Sequence, residues 1–270
     1  MFNLSHILFI IISAVLLATT LLLCKIYIKN QDKKDLVLKI AAILTLVLHY
    51  SPLYVNFFTT GTATITDTMI LPMYPCNFAM WLLVICAFMK NKQSKTYNVI
   101  ATMTFYLGLI GGVFGILFNE IFIDNPTLAD WGVLHGLLSH VTLLLGCVYL
   151  YVGEYMKIRV SNLFSIFICE VLLILDGYLI IGLFKLCNLP LINCMFLLNP
   201  PLPSVPWLNT YVLCIAVLII LFGFTALYEF ITLKKEDRWY NKIKSRKDNE
   251  KSKTRAETVK NESISNDESM

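Results

Sequence analysis

Seven long apolar stretches, separated by short polar connections, constrain the fold of this chain more than any other feature. Because lipid offers the backbone no hydrogen-bond partners, an apolar stretch of about 20 residues predicts a transmembrane helix. Charged residues make up only 15% of the chain, against roughly a quarter in soluble domains. We therefore predict an all-α, multi-pass membrane protein. The seven predicted transmembrane helices are Leu4–Ile28, Leu36–Phe58, Met69–Met89, Tyr97–Phe118, Trp131–Tyr155, Ser161–Leu186 and Pro206–Leu233.

The connections alternate in charge, and this alternation predicts the orientation. Lysine and arginine cluster in the first, third and fifth connections, whereas the second and fourth contain none. By the positive-inside rule, the N-terminus lies outside and the C-terminus inside the cell membrane. Residues 1–233 form the predicted transmembrane domain, and residues 234–270 a polar cytoplasmic tail that we expect to be disordered. The net charge of +4 does not indicate nucleic-acid binding, because the cations lie between the spans and in the tail.

Eight cysteines are spread mainly through apolar segments, which argues against a disulfide framework. Five of them are interpreted as small apolar fillers of the helix interfaces. Cys187 and Cys194 lie in one loop and could close a small bridge. The five fillers are Cys24, Cys86, Cys147, Cys169 and Cys214.

The segment Leu71-Pro-Met-Tyr-Pro-Cys76-Asn77 interrupts the third stretch with two prolines. A helix from Cys76 to Met89 would be about 21 Å long, short of the roughly 30 Å hydrocarbon core. The rest of the depth is irregular backbone, which is tolerated only where it is buried in protein or lines a polar cavity; we predict a cavity. Pro75 suits the first helical position, which places Cys76 in the first turn. There the helix amides favour a thiolate and a developing oxyanion.

Other polar side chains are predicted to share the outer membrane layer with Cys76. His49 lies near the outer end of the second helix, and His140 about 13 Å below the start of the fifth. Asp176 lies at or above the midplane, and Asn119 caps the outer end of the fourth helix. Ionisable groups at membrane depth are costly and indicate a functional site.

Each of these residues also has a structural interpretation. A single histidine in a helix bundle often bonds a neighbouring carbonyl, and we expect this of His6. His135 and His140 are about 140° apart around their helix, so they cannot both point into one cavity; the deeper His140 is favoured as functional. Asp176 either orients an imidazole or pairs with a buried donor.

Two further segments are interpreted as structural. Gly108, Gly111, Gly112 and Gly115 give the fourth helix small-xxx-small spacings, which predict close helix packing. The proline-rich loop that begins at Asn193 is either a lid over the site or a rigid lead-in to the seventh helix, with Pro206 at its first position.

These motifs resemble the YwaF-type integral membrane proteins over helices 2 to 7. The resemblance rests on Leu71–Asn77, the glycine-rich helix ending in Asn119, the Ser139-His140 pair, and the Asn193 loop followed by Pro206-Trp207. Animal relatives of that family are phospholipid acyltransferases that need no coenzyme A and use a cysteine and a histidine. The resemblance implies these roles for Cys76 and His140. Members commonly have a histidine two residues before the cysteine, where this chain has Tyr74.

The residues and the resemblance together give one hypothesis. Cys76, activated by His140, takes an acyl chain from a membrane phospholipid and passes it to a lysolipid or lipoprotein acceptor. No cofactor is expected, because the chain lacks Walker A, GxGxxG and HExxH motifs. The alternatives are a small-solute or proton-coupled transporter using His49, His140 and Asp176, a sensor, and a structural subunit. The predicted substrate-binding residues are Tyr74, Asn77, His49, Asn119, Asp176 and Asn193.

Overall fold

The computed structural model describes residues 3–62, 71–118, 122, 127–201, 204–243 and 245, and in them every regular element is helical. Short 3₁₀ turns occupy Val160–Asn162, Cys194–Phe196 and Lys235–Asp237. The α-helices of the described residues are α1 (Leu4–Tyr27), α2 (Gln31–His49), α3 (Ser51–Thr60), α4 (Pro75–Phe88), α5 (Lys95–Leu117), α6 (Trp131–Val152), α7 (Phe164–Leu186) and α8 (Thr210–Thr232).

Six helices of the described residues are long and apolar enough to cross a membrane. They are α1, α2 continued by α3, α5, α6, α7 with its preceding turn, and α8; the apolar α4 is shorter. A multi-pass helical membrane protein is therefore confirmed. The seventh crossing and the orientation stay predictions.

The predicted second span, Leu36–Phe58, lies within the longer apolar span Gln31–Thr60, which the structure divides into two helices. The longer span begins at Gln31, because the side chain of Asn30 accepts hydrogen bonds from the amides of Asp32 and Lys33. It breaks after His49, and α3 begins at Ser51 with Pro52 in its first turn, where a missing N–H costs nothing. The break leaves His49 as the last residue of α2.

The start of the last helix is also corrected. α8 begins at Thr210 instead of Pro206, because the side chain of Asn209 accepts a hydrogen bond from the amide of Val212. α6 ends at Val152 instead of Tyr155, where the chain turns through Glu154 at φ 67°.

The core lies where α2, α4, α5 and α6 pack together. By contrast, α1 and α8 keep most of their apolar side chains exposed, as expected of helices that face lipid. The fully buried core includes Leu38, Ala42, Ala79, Leu83, Tyr106, Leu143 and Cys147.

Candidate functional site

Cys76 is the second residue of α4, as the sequence predicted. The helix begins at Pro75 and has 14 residues, which gives a length of about 21 Å. Tyr74 precedes it in an extended conformation, and no side chain caps the helix start. An α-helix supplies no internal acceptor for its first amides, and the thiol of Cys76 lies in this first turn of α4.

The irregular segment before α4 is buried by another part of the protein. The amide of Met195 donates to the carbonyl of Met73 at 2.9 Å. The hydroxyl of Thr210 donates to the carbonyls of Met195 and Phe196, at 2.8 and 2.7 Å. Met73 is 1% exposed, in a cluster that includes Cys194. At Met73 the irregular backbone is therefore buried in protein, which is one of the two arrangements that a membrane tolerates, and the cavity predicted at the Pro75–Cys76 step stays a prediction.

The loop after α7 covers this segment, which favours the lid interpretation. The ring of Phe196 lies 5.6 Å from the ring of Tyr74. Asn193 shapes the loop, since its side chain accepts from the amides of Leu198 and Asn199 and donates to the Asn199 carbonyl. Those hydrogen bonds hold Asn193 within its own loop, and its predicted role in binding substrate stays a prediction.

A chain of hydrogen bonds runs from Cys76 to His49. The thiol of Cys76 donates to Oδ1 of Asn77 at 3.3 Å. Nδ2 of the same amide lies 2.9 Å from Nε2 of His49. Asn77 is only 2% exposed. The structure thus connects a thiol, an amide and an imidazole, three of the predicted site residues, at the start of α4 and the end of α2.

The glycine face of α5 contacts both Cys76 and His140. A Cβ at Gly111 would lie 3.2 Å from Cα and 3.3 Å from Cβ of Cys76, and a Cβ at Gly115 would lie 2.2 Å from Nε2 of His140. Since Cβ atoms one helical turn apart are about 5–6 Å apart, Cβ of Cys76 and Nε2 of His140 lie within about 12 Å of each other. The predicted role of these glycines in packing is confirmed, and what they pack against is the candidate site.

Each histidine of α6 bonds a carbonyl of its own helix. Nδ1 of His140 lies 2.6 Å from the carbonyl of Gly136, and Nδ1 of His135 lies 2.8 Å from that of Trp131. Because a carbonyl only accepts, Nδ1 of His140 carries the proton and Nε2 beside Gly115 holds the free lone pair. No hydrogen bond of the described residues joins His140 directly to Cys76.

His6 is a structural histidine, as expected. Its Nε2 lies 2.9 Å from the carbonyl of Ile116 near the end of α5, and its ring packs against Phe122 at 4.3 Å.

Asp176 lies on the lid side of the site. Its Oδ2 is buried and has no hydrogen-bond partner in the described part of the chain, so it orients no imidazole there. Burial, and then the charge of Asp176, raise the pKa of Cys194 to about 11. Cys194 and Cys187 are both free thiols, so the possible bridge between them is not formed. Asn119 lies outside the described residues.

Sequence reasoning missed a polar pocket of about 240 Å³ at the opposite end of the bundle. Asp35, at the base of α2, accepts hydrogen bonds from Lys92 at 2.7 Å and from the hydroxyl of Tyr155 at 2.5 Å. Lys34 pairs with Glu154 at 2.7 Å. The only signal in the sequence was the position of Asp35 directly before an apolar run. The pocket is lined by Gln31, Lys34, Lys92, Gln93, Gly153, Glu154 and Tyr155.

The helices and their lipid-facing surfaces define a multi-pass membrane protein with a thiol at the irregular start of a short buried helix. Within the described residues, His, Cys, Asp and Glu side chains form no group of three that could hold a metal ion. Residues 1–228 match the model of the TMEM164 family, and the chain belongs to that family. No curated protein and no solved structure matches the chain.

Proposed function

We propose that this protein is an acyltransferase of the cell membrane that moves an acyl chain from a phospholipid, through a thioester on Cys76, to a lysolipid or lipoprotein acceptor. The observation that carries the proposal is the place of Cys76, in the first turn of an uncapped helix and on the same glycine face as His140. We further propose that α4 completes a seventh crossing, with the N-terminus outside.

The thiol lies below the layer of the phospholipid ester carbonyls. A helix of 14 residues is about 21 Å long and leaves roughly 9 Å of a 30 Å hydrocarbon core above its start. The ester carbonyls of phospholipids lie just below the headgroups, so a donor lipid that enters sideways from the membrane must move its ester about 9 Å inward to reach Cys76.

In the first half-reaction, Sγ of Cys76 attacks the ester carbonyl and forms a C–S bond. The thiol proton, which Cys76 donates to Asn77 in the resting protein, passes to Nε2 of His140 once the two side chains close around the substrate. Nε2 is the nitrogen with the free lone pair. The first amides of α4 stabilise the oxyanion. When the intermediate collapses, the C–O bond to glycerol breaks, and His140 returns the proton to the glycerol oxygen. The products are a lysolipid and a thioester on Cys76.

In the second half-reaction, the hydroxyl of a lysolipid or the amine of a lipoprotein attacks the thioester. His140 accepts the proton of the attacking group, the C–S bond breaks, and the proton returns to the sulfur. Neither half-reaction requires an oxidant, a nucleotide or a metal ion. The acyl group moves from the glycerol oxygen to Sγ of Cys76 and then to the acceptor, and no atom changes its oxidation state.

The test is mass spectrometry of the protein after incubation with phospholipid in nanodiscs. We expect an acyl adduct on the peptide that contains Cys76, sensitive to neutral hydroxylamine and absent in Cys76→Ser. Cys214→Ser is the matched control, because Cys214 is also a partly buried thiol in an apolar helix. Full acyl transfer by Cys76→Ser would refute the mechanism, and a wild-type protein without any adduct would favour a transporter or sensor.

A further inference from the structure

We propose that Asn77 and His49 are positioning residues that hold the thiol of Cys76 in one orientation. This inference rests on the proposed function, because it assigns a purpose to Cys76 as the nucleophile. The evidence is the hydrogen-bonded series from Cys76 through Asn77 to His49, with separations of 3.3 and 2.9 Å.

The orientation of the Asn77 amide decides whether the thiol of Cys76 faces a hydrogen-bond acceptor or a donor. An asparagine side chain has one accepting end and one donating end. In the structure Oδ1 faces the sulfur, so the S–H of Cys76 donates to it. With the proton directed at Asn77, the lone pairs of Sγ point away from the amide. The thiol is therefore held in one rotamer, with its lone pairs available to a substrate carbonyl.

His49 holds the amide in this orientation. Its Nε2 faces Nδ2 of Asn77, so a neutral His49 accepts from the amide and carries its own ring proton on Nδ1. A rotation of the Asn77 amide by about 180° would place Oδ1 against the lone pair on Nε2 of His49. This arrangement is unfavourable, because two buried acceptors would face each other without a proton between them. In this tautomer His49 favours the amide orientation that gives Cys76 an acceptor, whereas a proton on Nε2 would favour the opposite orientation.

The placement of the two residues makes this clamp rigid. Asn77 is the third residue of α4 and 2% exposed, and His49 is the last residue of α2, where the chain breaks before Pro52. The ring of His49 also packs edge-on against Tyr50 at 4.9 Å. Because the buried Asn77 already fixes the orientation of the Cys76 thiol, the thiol loses less orientational freedom on substrate binding than a freely rotating thiol would.

The sharpest variants separate the hydrogen bond from the shape of the side chain. Asn77→Leu keeps the volume and removes both polar ends. His49→Gln keeps an acceptor near the position of Nε2, whereas His49→Leu removes it. If His49 acts by accepting from the amide, single-turnover acylation of Cys76 is at least about 10-fold faster in His49→Gln than in His49→Leu. In Asn77→Leu it falls by about 10- to 100-fold relative to the wild type.

A second readout does not depend on acyl transfer. The infrared S–H stretching band of Cys76 is isolated by subtracting the spectrum of Cys76→Ser, and a thiol that donates a hydrogen bond absorbs at lower frequency than one that does not. We expect the band to move to higher frequency in Asn77→Leu and His49→Leu, and to remain near the wild-type position in His49→Gln. A purely structural role would leave this band unchanged in variants that fold.

The outcomes distinguish this proposal from the proposed function. An unchanged S–H band in Asn77→Leu, or equal acylation rates in His49→Gln and His49→Leu, overturns the clamp while acyl transfer stands. The expected band shifts in a protein that forms no acyl adduct support the clamp and refute acyl transfer. Thermal unfolding of each variant in the same nanodiscs shows that the compared proteins are folded.

Discussion

Gly115→Ala tests the packing of the candidate site most directly. An added Cβ would lie 1.9 Å from Cδ2 and 2.2 Å from Nε2 of His140, whereas Cβ contacts below 3.0 Å are essentially never observed. The imidazole must therefore move by about 1 Å or more, or α5 and α6 must separate. The ring is held by its hydrogen bond to Gly136 at 2.6 Å, so it cannot move freely.

The expected cost follows from these two constraints. Overpacking of a tight contact costs about 1–3 kcal/mol. At about 3 °C per kcal/mol for a chain of this size, the melting temperature falls by about 3–9 °C. Displacement of a catalytic group by about 1 Å costs up to about 100-fold in rate, so the mechanism proposed above predicts that acylation of Cys76 decreases more than the loss of stability alone explains.

The assay is thermal unfolding in nanodiscs, followed by single-turnover acylation with the same preparations. Gly182→Ala is the matched control, because it also lies within a membrane-spanning helix, in the last two turns of α7, and a Cβ there meets nothing within 4 Å. Alanine at an exposed helical position is favourable by up to about 1 kcal/mol relative to glycine. If Gly115→Ala unfolded and reacted like Gly182→Ala, the close contact between α5 and His140 would be wrong.

The remaining predictions concern the two ends of the bundle. Asp35→Asn leaves the ammonium of Lys92, whose side chain is 10% exposed, without its carboxylate and should destabilise the protein by about 1–3 kcal/mol in thermal unfolding. Glu154→Gln should leave the melting temperature unchanged, because the Glu154 side chain is 80% exposed and exposed ion pairs contribute little. Thr210→Val removes the hydroxyl that donates to two lid carbonyls and should increase the alkylation rate of the buried Cys194 several-fold.

Each of these has an internal control. The double variant Asp35→Asn with Lys92→Gln should recover stability relative to Asp35→Asn; no recovery would mean that the pair is not coupled. The hydrogen bond to Lys34 lowers the pKa of Glu154, so any effect of Glu154→Gln is present above the ordinary glutamate pKa and disappears as the pH falls through the lowered value. In Thr210→Val, the exposed Cys187 should react at the wild-type rate, and an equal acceleration at both thiols would indicate general unfolding instead of a loosened lid.

Local patterns predicted the parts of the structure that depend on neighbours in sequence. The short helix after Pro75 follows from proline geometry and bilayer thickness, and the glycine spacing in α5 correctly indicated close packing. The break after His49 was missed, because Pro52 lies within a continuous apolar run and hydropathy alone carries no sign of it.

The partners of the site residues could not be predicted for a different reason. Cys76 was expected to depend on His140, but its described hydrogen bond goes to Asn77, and from there to His49, 28 residues earlier in the chain. Such a connection depends on how far each helix is rotated about its axis. A rotation of one residue position, about 100°, changes which side chains meet, and apolar periodicity in nearly uniform membrane helices does not determine it.

The hydrogen bond from Met195 to Met73 has a consequence for how the family can diverge. The bond joins two backbone groups that are 122 residues apart in the chain. Its formation therefore does not require a particular side chain at either position, but it does depend on the length of each segment. Substitutions that fit the buried positions of Met73 and Met195 keep this bond, whereas a one-residue insertion or deletion would leave an amide and a carbonyl unpaired at membrane depth. Among homologues, we expect the spacing between Met73 and Cys76 to vary far less than the residues that fill it.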